Sequence, residues 1–84
     1  MSSLKTEARA RKAWFDEHNL WIEFIDGRVL SVPLAYFPRL RNASMEQRNR
    51  FEMSGGGTGL HWDEIDEDIS VPHLLIGNYD SIAV

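Results

Sequence analysis

The chain has 84 residues, of which 43% are hydrophobic and 26% are charged, with a formal net charge of −4 and no cysteine. This length predicts a single small core, and the absence of cysteine excludes a disulfide framework, a thiolate metal site and a cysteine nucleophile. The negative charge argues against a general nucleic-acid binder, and we expect folding without a cofactor. With no export signal and no apolar run of membrane-spanning length, we expect a cytoplasmic protein without membrane contact.

The first half of the chain predicts three strands. Residues 10–15 favour a strand, although a helix over 6–15 is an alternative that the same residue types tolerate. Residues 20–25 are rich in strand formers, and Asp26-Gly27 separates them from a second strand-like run at 28–32. This spacing is typical of a hairpin with a two-residue turn. Together the three segments predict an antiparallel meander.

The predicted turn determines which side chains share a face of the hairpin. A two-residue turn pairs Ile25 with Arg28, and a strand alternates its side chains between two faces. One face then carries Leu20, Ile22, Phe24 and Val29. The opposite face carries Trp21, Glu23, Ile25, Leu30 and Val32. This second face is too apolar to be left in water, so we expect the chain's own helices or a second subunit to cover it.

Two short helical segments are predicted in the middle of the chain. Residues 34–37 predict one helical turn, because Pro38 disfavours helical angles in the residue before it. Ser44 and Gln47 have the spacing of a capping box, in which each residue satisfies a backbone N–H of the other. A helix from Met45 to about Arg50 is therefore expected.

The last third of the chain predicts short strands and a final helix. Residues 51–53 and 59–62 favour strands on either side of a glycine run at 55–57, which we interpret as a mobile connector. Residues 71–76 predict a helix that ends at Gly77.

The predicted fold class is α+β, with a small antiparallel sheet (the meander plus short strands) and two or three short helices. We expect residues 10–77 to form one domain, between an N-terminal tail at 1–9 and a C-terminal tail at 78–84.

Charged residues are distributed unevenly. The mid-chain arginines are Arg39, Arg41, Arg48 and Arg50. A downstream acidic run contains Asp63, Glu64, Asp66, Glu67 and Asp68. This polarity is typical of a surface that recognises a charged protein or a nucleic acid, and equally of two clusters that pair within one molecule.

No catalytic or metal-binding motif is found. His61 and its neighbouring carboxylates offer metal ligands, but they lack the spacing of a calcium loop, and a solvated acidic edge is the simpler interpretation. The glycine run lacks the lysine and the following helix of a phosphate loop. His18 and His73 have no accompanying nucleophile. We therefore predict neither catalytic residues nor a metal site, and no enzymatic activity.

Several short motifs together carry a resemblance to a known family. They are Asp26-Gly27-Arg28, Val32-Pro33-Leu34, Phe37-Pro38-Arg39-Leu40, Ala43, Glu46-Gln47-Arg48, Leu60-His61-Trp62 and Asp66-Glu67-Asp68-Ile69-Ser70. Over roughly residues 10–77 the chain resembles the small bacterial domain-of-unknown-function family 2442. The resemblance implies a compact α+β domain that occurs alone, in toxin–antitoxin-like gene arrangements, or joined to a helix-turn-helix domain. It implies no known reaction. The chain departs from the pattern in a lengthened glycine run and carries no appended helix-turn-helix, which argues against sequence-specific DNA binding.

The sequence thus predicts a non-enzymatic protein-interaction domain, of an antitoxin-like or accessory regulatory kind, that binds a neighbouring gene product or a second copy of itself. The predicted contact residues are Trp21, Ile25, Leu30, Val32, Arg41, Arg48, Arg50, Trp62, Asp66, Glu67 and Asp68. A nucleic-acid-associated regulator that uses the mid-chain arginines is the alternative, and a small metal-dependent enzyme is the third hypothesis.

Overall fold

The structure, a computed structural model, describes residues 8–77 and contains two three-stranded antiparallel sheets. The first sheet has the order β1–β2–β3, with β1 at Ala10–Phe15, β2 at Asn19–Phe24 and β3 at Val29–Pro33. The second has the order β4–β5–β6, with β4 at Glu52–Ser54, β5 at Gly59–Trp62 and β6 at Glu67–Ser70. The helical segments are a 3₁₀ turn at Leu34–Tyr36, α1 at Pro38–Arg41, α2 at Met45–Arg48 and α3 at Val71–Ile76.

This architecture confirms the predicted α+β class and the meander. Apart from residues 8 and 9, the predicted tails at 1–9 and 78–84 lie outside the described residues. Two elements were not predicted. Helix α1 begins at Pro38, whose ring presets the backbone angle of a first helical residue. Strand β6 contains two members of the acidic run and forms because it pairs with β5.

The turn between β2 and β3 is longer than the predicted two-residue turn. The backbone N–H of Phe24 donates to the carbonyl of Arg28 at 2.8 Å, so residues 25–27 form a three-residue loop. Gly27 has a φ of 95°, the left-handed conformation that such loops require at their last position. The Asp26-Gly27 pair therefore predicts the position of the turn correctly, but the predicted length of the turn is wrong.

The longer loop shifts the pairing of the hairpin by one residue. Leu20 pairs with Val32, and Ile22 pairs with Leu30. A slip of one residue exchanges the two faces of a strand, so the prediction that Leu30 and Val32 share a face with Trp21 is wrong. Val32 is fully buried and Leu30 packs against the core. Val29, which was predicted to share a face with Leu20 and Ile22, lies on the opposite face and is 52% exposed.

Local signals set the ends of the helices. The Ser44 hydroxyl accepts from the Gln47 N–H at 3.0 Å, and the Gln47 side chain accepts from the Ser44 N–H at 2.9 Å. The predicted capping box is thus confirmed, although α2 ends at Arg48 rather than near Arg50. Helix α3 ends as predicted at Gly77, which is left-handed with a φ of 73°.

The glycine turn between β4 and β5 is packed against the first sheet. The N–H of Ala10 donates to the carbonyl of Gly57 at 2.7 Å, and Gly57 is buried with a φ of 101°. A Cβ atom at Gly57 would lie 2.3 Å from the carbonyl oxygen of Ala10. The glycine run is therefore a docking contact between the sheets, and its interpretation as a mobile connector is corrected.

Trp62 lies at the centre of the core, between the two sheets. It is 1% exposed, and its ring meets Phe15 and Phe51 at centroid distances of 6.3 and 5.9 Å. Its indole Nε1–H donates to the carbonyl of Arg48 at 2.8 Å. This side chain therefore joins β1, β5 and the end of α2.

We predict that Gly57→Ala destabilises the protein by about 1–3 kcal/mol more than Gly56→Ala, because the new methyl group overpacks against rigid backbone. Both glycines have positive φ, but a Cβ at Gly56 would meet only the flexible end of Arg9, at 3.3 Å. Urea unfolding of the two variants measures the difference. Equal losses would contradict the docking role of Gly57.

We predict that Trp62→Phe lowers the free energy of unfolding by about 2–4 kcal/mol, because it leaves a cavity and an unpaired carbonyl at Arg48. The matched control is Trp14→Phe, at a half-buried tryptophan on the solvent side of the first sheet, for which a loss below about 1 kcal/mol is expected. Circular dichroism during urea titration reports both values. Similar losses at the two sites would show that Trp62 has no special role in the core.

Candidate functional site

The solvent side of the first sheet carries two stacked tryptophans. Trp14 on β1 pairs with Trp21 on β2, and their rings are parallel within 5° at a centroid distance of 6.2 Å. Val29 on β3 is 52% exposed, and Ile25 in the adjoining loop is 39% exposed. We call the surface formed by these four residues and Ser31 the tryptophan face. It retains Trp21 and Ile25 from the predicted face and replaces Leu30 and Val32.

Polar contacts hold the tryptophan rings in position. The Nε1–H of Trp21 donates to the Asp16 carboxylate at 2.9 Å. This bond, together with the backbone N–H groups of His18 and Asn19, holds the pKa of Asp16 below its ordinary value, so the acceptor stays ionised at neutral pH. On the other ring, the Lys12 ammonium lies 5.5 Å from the centroid of Trp14. Both rings of the tryptophan face are therefore held by contacts within the chain.

The mid-chain arginines are largely engaged within the molecule. The guanidinium of Arg48 donates to the carbonyls of Leu40 and Arg41, at 2.8 and 3.1 Å. Arg50 forms an ion pair with Glu64 at 2.9 Å. Arg48 thus binds the end of α1, and Arg50 is paired with Glu64, a member of the predicted acidic run.

Arg39 and Arg41 differ in their surroundings. Arg39 donates to the carbonyl of Asp66, and its guanidinium lies 3.9 Å from the Glu67 carboxylate. Among residues 8–77, no carboxylate pairs with Arg41 and its guanidinium has no hydrogen-bond acceptor. Arg41 instead lines an open cleft of about 310 Å³ with Glu17, His18, Pro33, Leu34 and Ala35.

The acidic run does not form one continuous surface. Asp66 turns the chain between β5 and β6 with a φ of 56°, and Asp68 points outward. Glu67 points inward and is 9% exposed; burial is the main cause that raises its pKa, against the lowering effect of Arg39. Glu67 and the fully buried Trp62 are thus inaccessible to a partner on this structure, which corrects their assignment to a binding surface.

His61 bridges two carboxylates on the second sheet. Its Nδ1–H donates to Asp68 at 2.6 Å and its Nε2–H to Asp63 at 2.5 Å, while Glu52 is its cross-strand neighbour on β4. These two hydrogen bonds raise the pKa of His61 above its ordinary value, and the bond to Asp68 is the larger cause. Carboxylate acceptors on both ring nitrogens favour the imidazolium form. Within the described range, no group of three or more metal-ligating side chains is arranged to hold an ion.

Trp14 and Val29 belong to the tryptophan face but were not predicted to lie there. Trp14 could have been found from the polar turn at 16–19, because pairing across that turn sets Trp14 opposite Trp21. The face of Val29 could not have been found in this way, because it depends on the length of the preceding loop at 25–27. No helix among residues 8–77 is long and apolar enough to cross a membrane.

Comparison with known proteins gives a family and a fold. The family model described as "Protein of unknown function (DUF2442)" matches residues 10–79, which confirms the resemblance. A crystal structure of a protein of unknown function from Rhodospirillum rubrum ATCC 11170 is similar with a TM-score of 0.74 and 32% identity, over 87% of this chain and 89% of that one. An uncharacterized protein from Chromobacterium violaceum, solved by NMR, has a TM-score of 0.70 and 23% identity, over 84% of this chain and 67% of that one. No curated protein matches.

We predict that stability falls as the pH rises through the folded-state pKa of His61. A raised pKa means that the His61 contribution is fully present below the unfolded value of about 6.5 and is lost at higher pH. Urea unfolding at pH steps from about 5.5 to 8.5 measures this slope. His61→Asn should flatten it, whereas His73→Asn, at an exposed histidine outside the cluster, should not. A slope that survives His61→Asn would assign the effect to other groups.

Proposed function

The chain belongs to the DUF2442 family of proteins of unknown function, and from that premise we propose that it is a protein-interaction domain without enzymatic activity. The tryptophan face is the proposed binding surface. The observation that carries the proposal is the parallel pair of Trp14 and Trp21 on the solvent side of the sheet.

The chemistry of the face supports binding to a protein. Tryptophan is among the residues that contribute most to the affinity of interfaces, because it buries a large area and loses little side-chain entropy. Asp16 already holds the Trp21 side chain, so binding would cost little further side-chain entropy at this residue. Ile25 and Val29 extend the apolar area of the face. The ion pair between Arg11 and Glu23, at 2.5 Å, forms a polar rim beside it.

The narrower proposal is an antitoxin-like or accessory role, in which the partner is the product of a neighbouring gene. This part rests on the resemblance and on composition, since a chain without cysteine suits a reducing cytoplasm, where such partners occur.

The nucleic-acid alternative has less support. A phosphate-binding surface needs several free cationic side chains, and affinity grows with the number of phosphates neutralised. Arg39, Arg48 and Arg50 are bound to carbonyls or carboxylates of the same chain. The net charge of −4 also opposes approach to a polyanion.

We predict that Trp14→Ser and Ile25→Lys each weaken binding to the partner by about tenfold or more, because truncation of a central anchor in an interface costs over about 1 kcal/mol. The partners to be tested are the purified products of the adjacent genes, in calorimetric titrations against the wild-type protein. Leu75→Lys on α3 is the matched control, since Leu75 and Ile25 are both 39% exposed. It should leave affinity unchanged.

Two results would contradict the proposal. One is a complex that forms with equal affinity in both face variants. The other is a complex that Leu75→Lys weakens as much as Ile25→Lys does, because binding would then depend on net charge rather than on the tryptophan face.

A further inference from the structure

The loop between β2 and β3 contains a peptide bond at which an aspartate can isomerise. Asp26-Gly27 is the one place in the chain where an aspartate or an asparagine precedes a glycine. Glycine has no side chain to shield its backbone nitrogen, so that nitrogen can reach the carboxyl carbon of the preceding residue. Both residues are exposed. Asp26-Gly27 therefore has the sequence and the location that isoaspartate formation requires.

Isoaspartate forms in two steps that need no reagent other than water. The backbone nitrogen of Gly27 bonds to Cγ of Asp26, and the amide proton leaves with the hydroxyl of the protonated carboxyl group as water. A second water then opens the resulting succinimide ring. When the bond from the nitrogen to the main-chain carbonyl carbon of Asp26 breaks, the backbone runs through Cγ and is one methylene longer. The two steps together leave the mass unchanged.

The folded hairpin keeps the Asp26 carboxyl group in its unreactive form. One carboxylate oxygen accepts from the backbone N–H of Arg28 at 3.1 Å, and the other accepts from Nε–H of the same residue at 2.8 Å. These bonds, of which the one from the backbone N–H is the larger cause, lower the pKa of Asp26. The first step requires the protonated carboxyl group, because only a protonated oxygen can leave as water. The contacts with Arg28 therefore reduce the reactive fraction.

The attacking nitrogen is held as well. The backbone N–H of Gly27 donates to the carbonyl of Phe24 at 2.9 Å. This hydrogen bond retains the proton that the nitrogen must lose and fixes the plane of the peptide. We propose that Asp26-Gly27 is an isomerisation site that the folded hairpin suppresses, by binding the carboxylate to Arg28 and the Gly27 amide to Phe24. Isoaspartate then accumulates in molecules whose hairpin has opened.

Isomerisation at Asp26 would alter the tryptophan face. Ile25 lies in the same loop, Val29 begins β3, and the pairing of the hairpin depends on the length of the backbone between β2 and β3. An additional methylene at residue 26 therefore displaces both side chains relative to Trp21. The inference goes beyond the proposed function, and the two can fail separately, since the reaction is measured with no partner present.

The test is the rate at which residue 26 isomerises in the full chain at neutral pH. After proteolysis, chromatography separates the peptides that contain aspartate and isoaspartate. The folded chain should isomerise about threefold or more slowly than the same chain unfolded in urea, because one hydrogen bond commonly supplies a factor of about that size. Equal rates in the folded and the unfolded chain would overturn the proposal.

Two variants assign the protection to Arg28. Arg28→Gln removes the side-chain donor and the charge beside Asp26, and it should raise the rate in the folded chain by about threefold. Arg11→Gln removes the same charge from the ion pair with Glu23 on the same sheet and should leave the rate unchanged. In urea all three chains should isomerise equally. If Arg28→Gln has no effect, or Arg11→Gln has the same effect, the proposal fails. If Arg28→Gln does not fold, the wild-type comparison decides alone.

Discussion

The burial of Trp62 between two small sheets is the constraint on which the rest of this domain depends. A chain of 84 residues can enclose only one small core, and the largest fully buried side chain in it is this indole. Burying an indole N–H without an acceptor would be costly, so the carbonyl of Arg48 must stand at the end of α2. The side chain of Arg48 in turn bonds to the carbonyls that end α1. Hydrogen bonds thus connect Trp62 to the ends of both α1 and α2.

The tryptophan face follows from the same constraint. The inner face of the first sheet packs against Trp62 and its neighbours in the core. The buried residues of the short helices pack on the same side. The outer side is left to the Trp14 and Trp21 pair, which Asp16 and Lys12 hold in a fixed arrangement. A rigid aromatic surface costs little entropy to bury, which is why we interpret it as a site of contact rather than as a packing defect.

Most of the mid-chain arginines bind groups of the same chain, although their clustering in the sequence suggests a surface for a charged partner. Arg39, Arg48 and Arg50 each bind within the chain, and the buried carboxylate of Glu67 lies near Arg39. Exposed ion pairs contribute little to stability, whereas Arg48 donates hydrogen bonds to the last two carbonyls of α1. Of these four arginines, Arg41 has no partner for its guanidinium among the described residues, and it lines a cleft beside Pro33 at the end of β3. Clustering in sequence therefore does not identify the arginines that remain available.

Features that depend on neighbouring residues were determined by the sequence itself: the meander, the capping box at Ser44 and Gln47, and the end of α3 at Gly77. Each arises from hydrogen bonds or backbone angles within a few residues. The tertiary structure decided the length of the loop at 25–27, and with it the faces of Val29, Leu30 and Val32. Two-residue and three-residue turns suit the same Asp-Gly pair, and only core packing selects between them. Packing also directs Glu67 inward and docks Gly57 on Ala10, because both depend on elements distant in sequence.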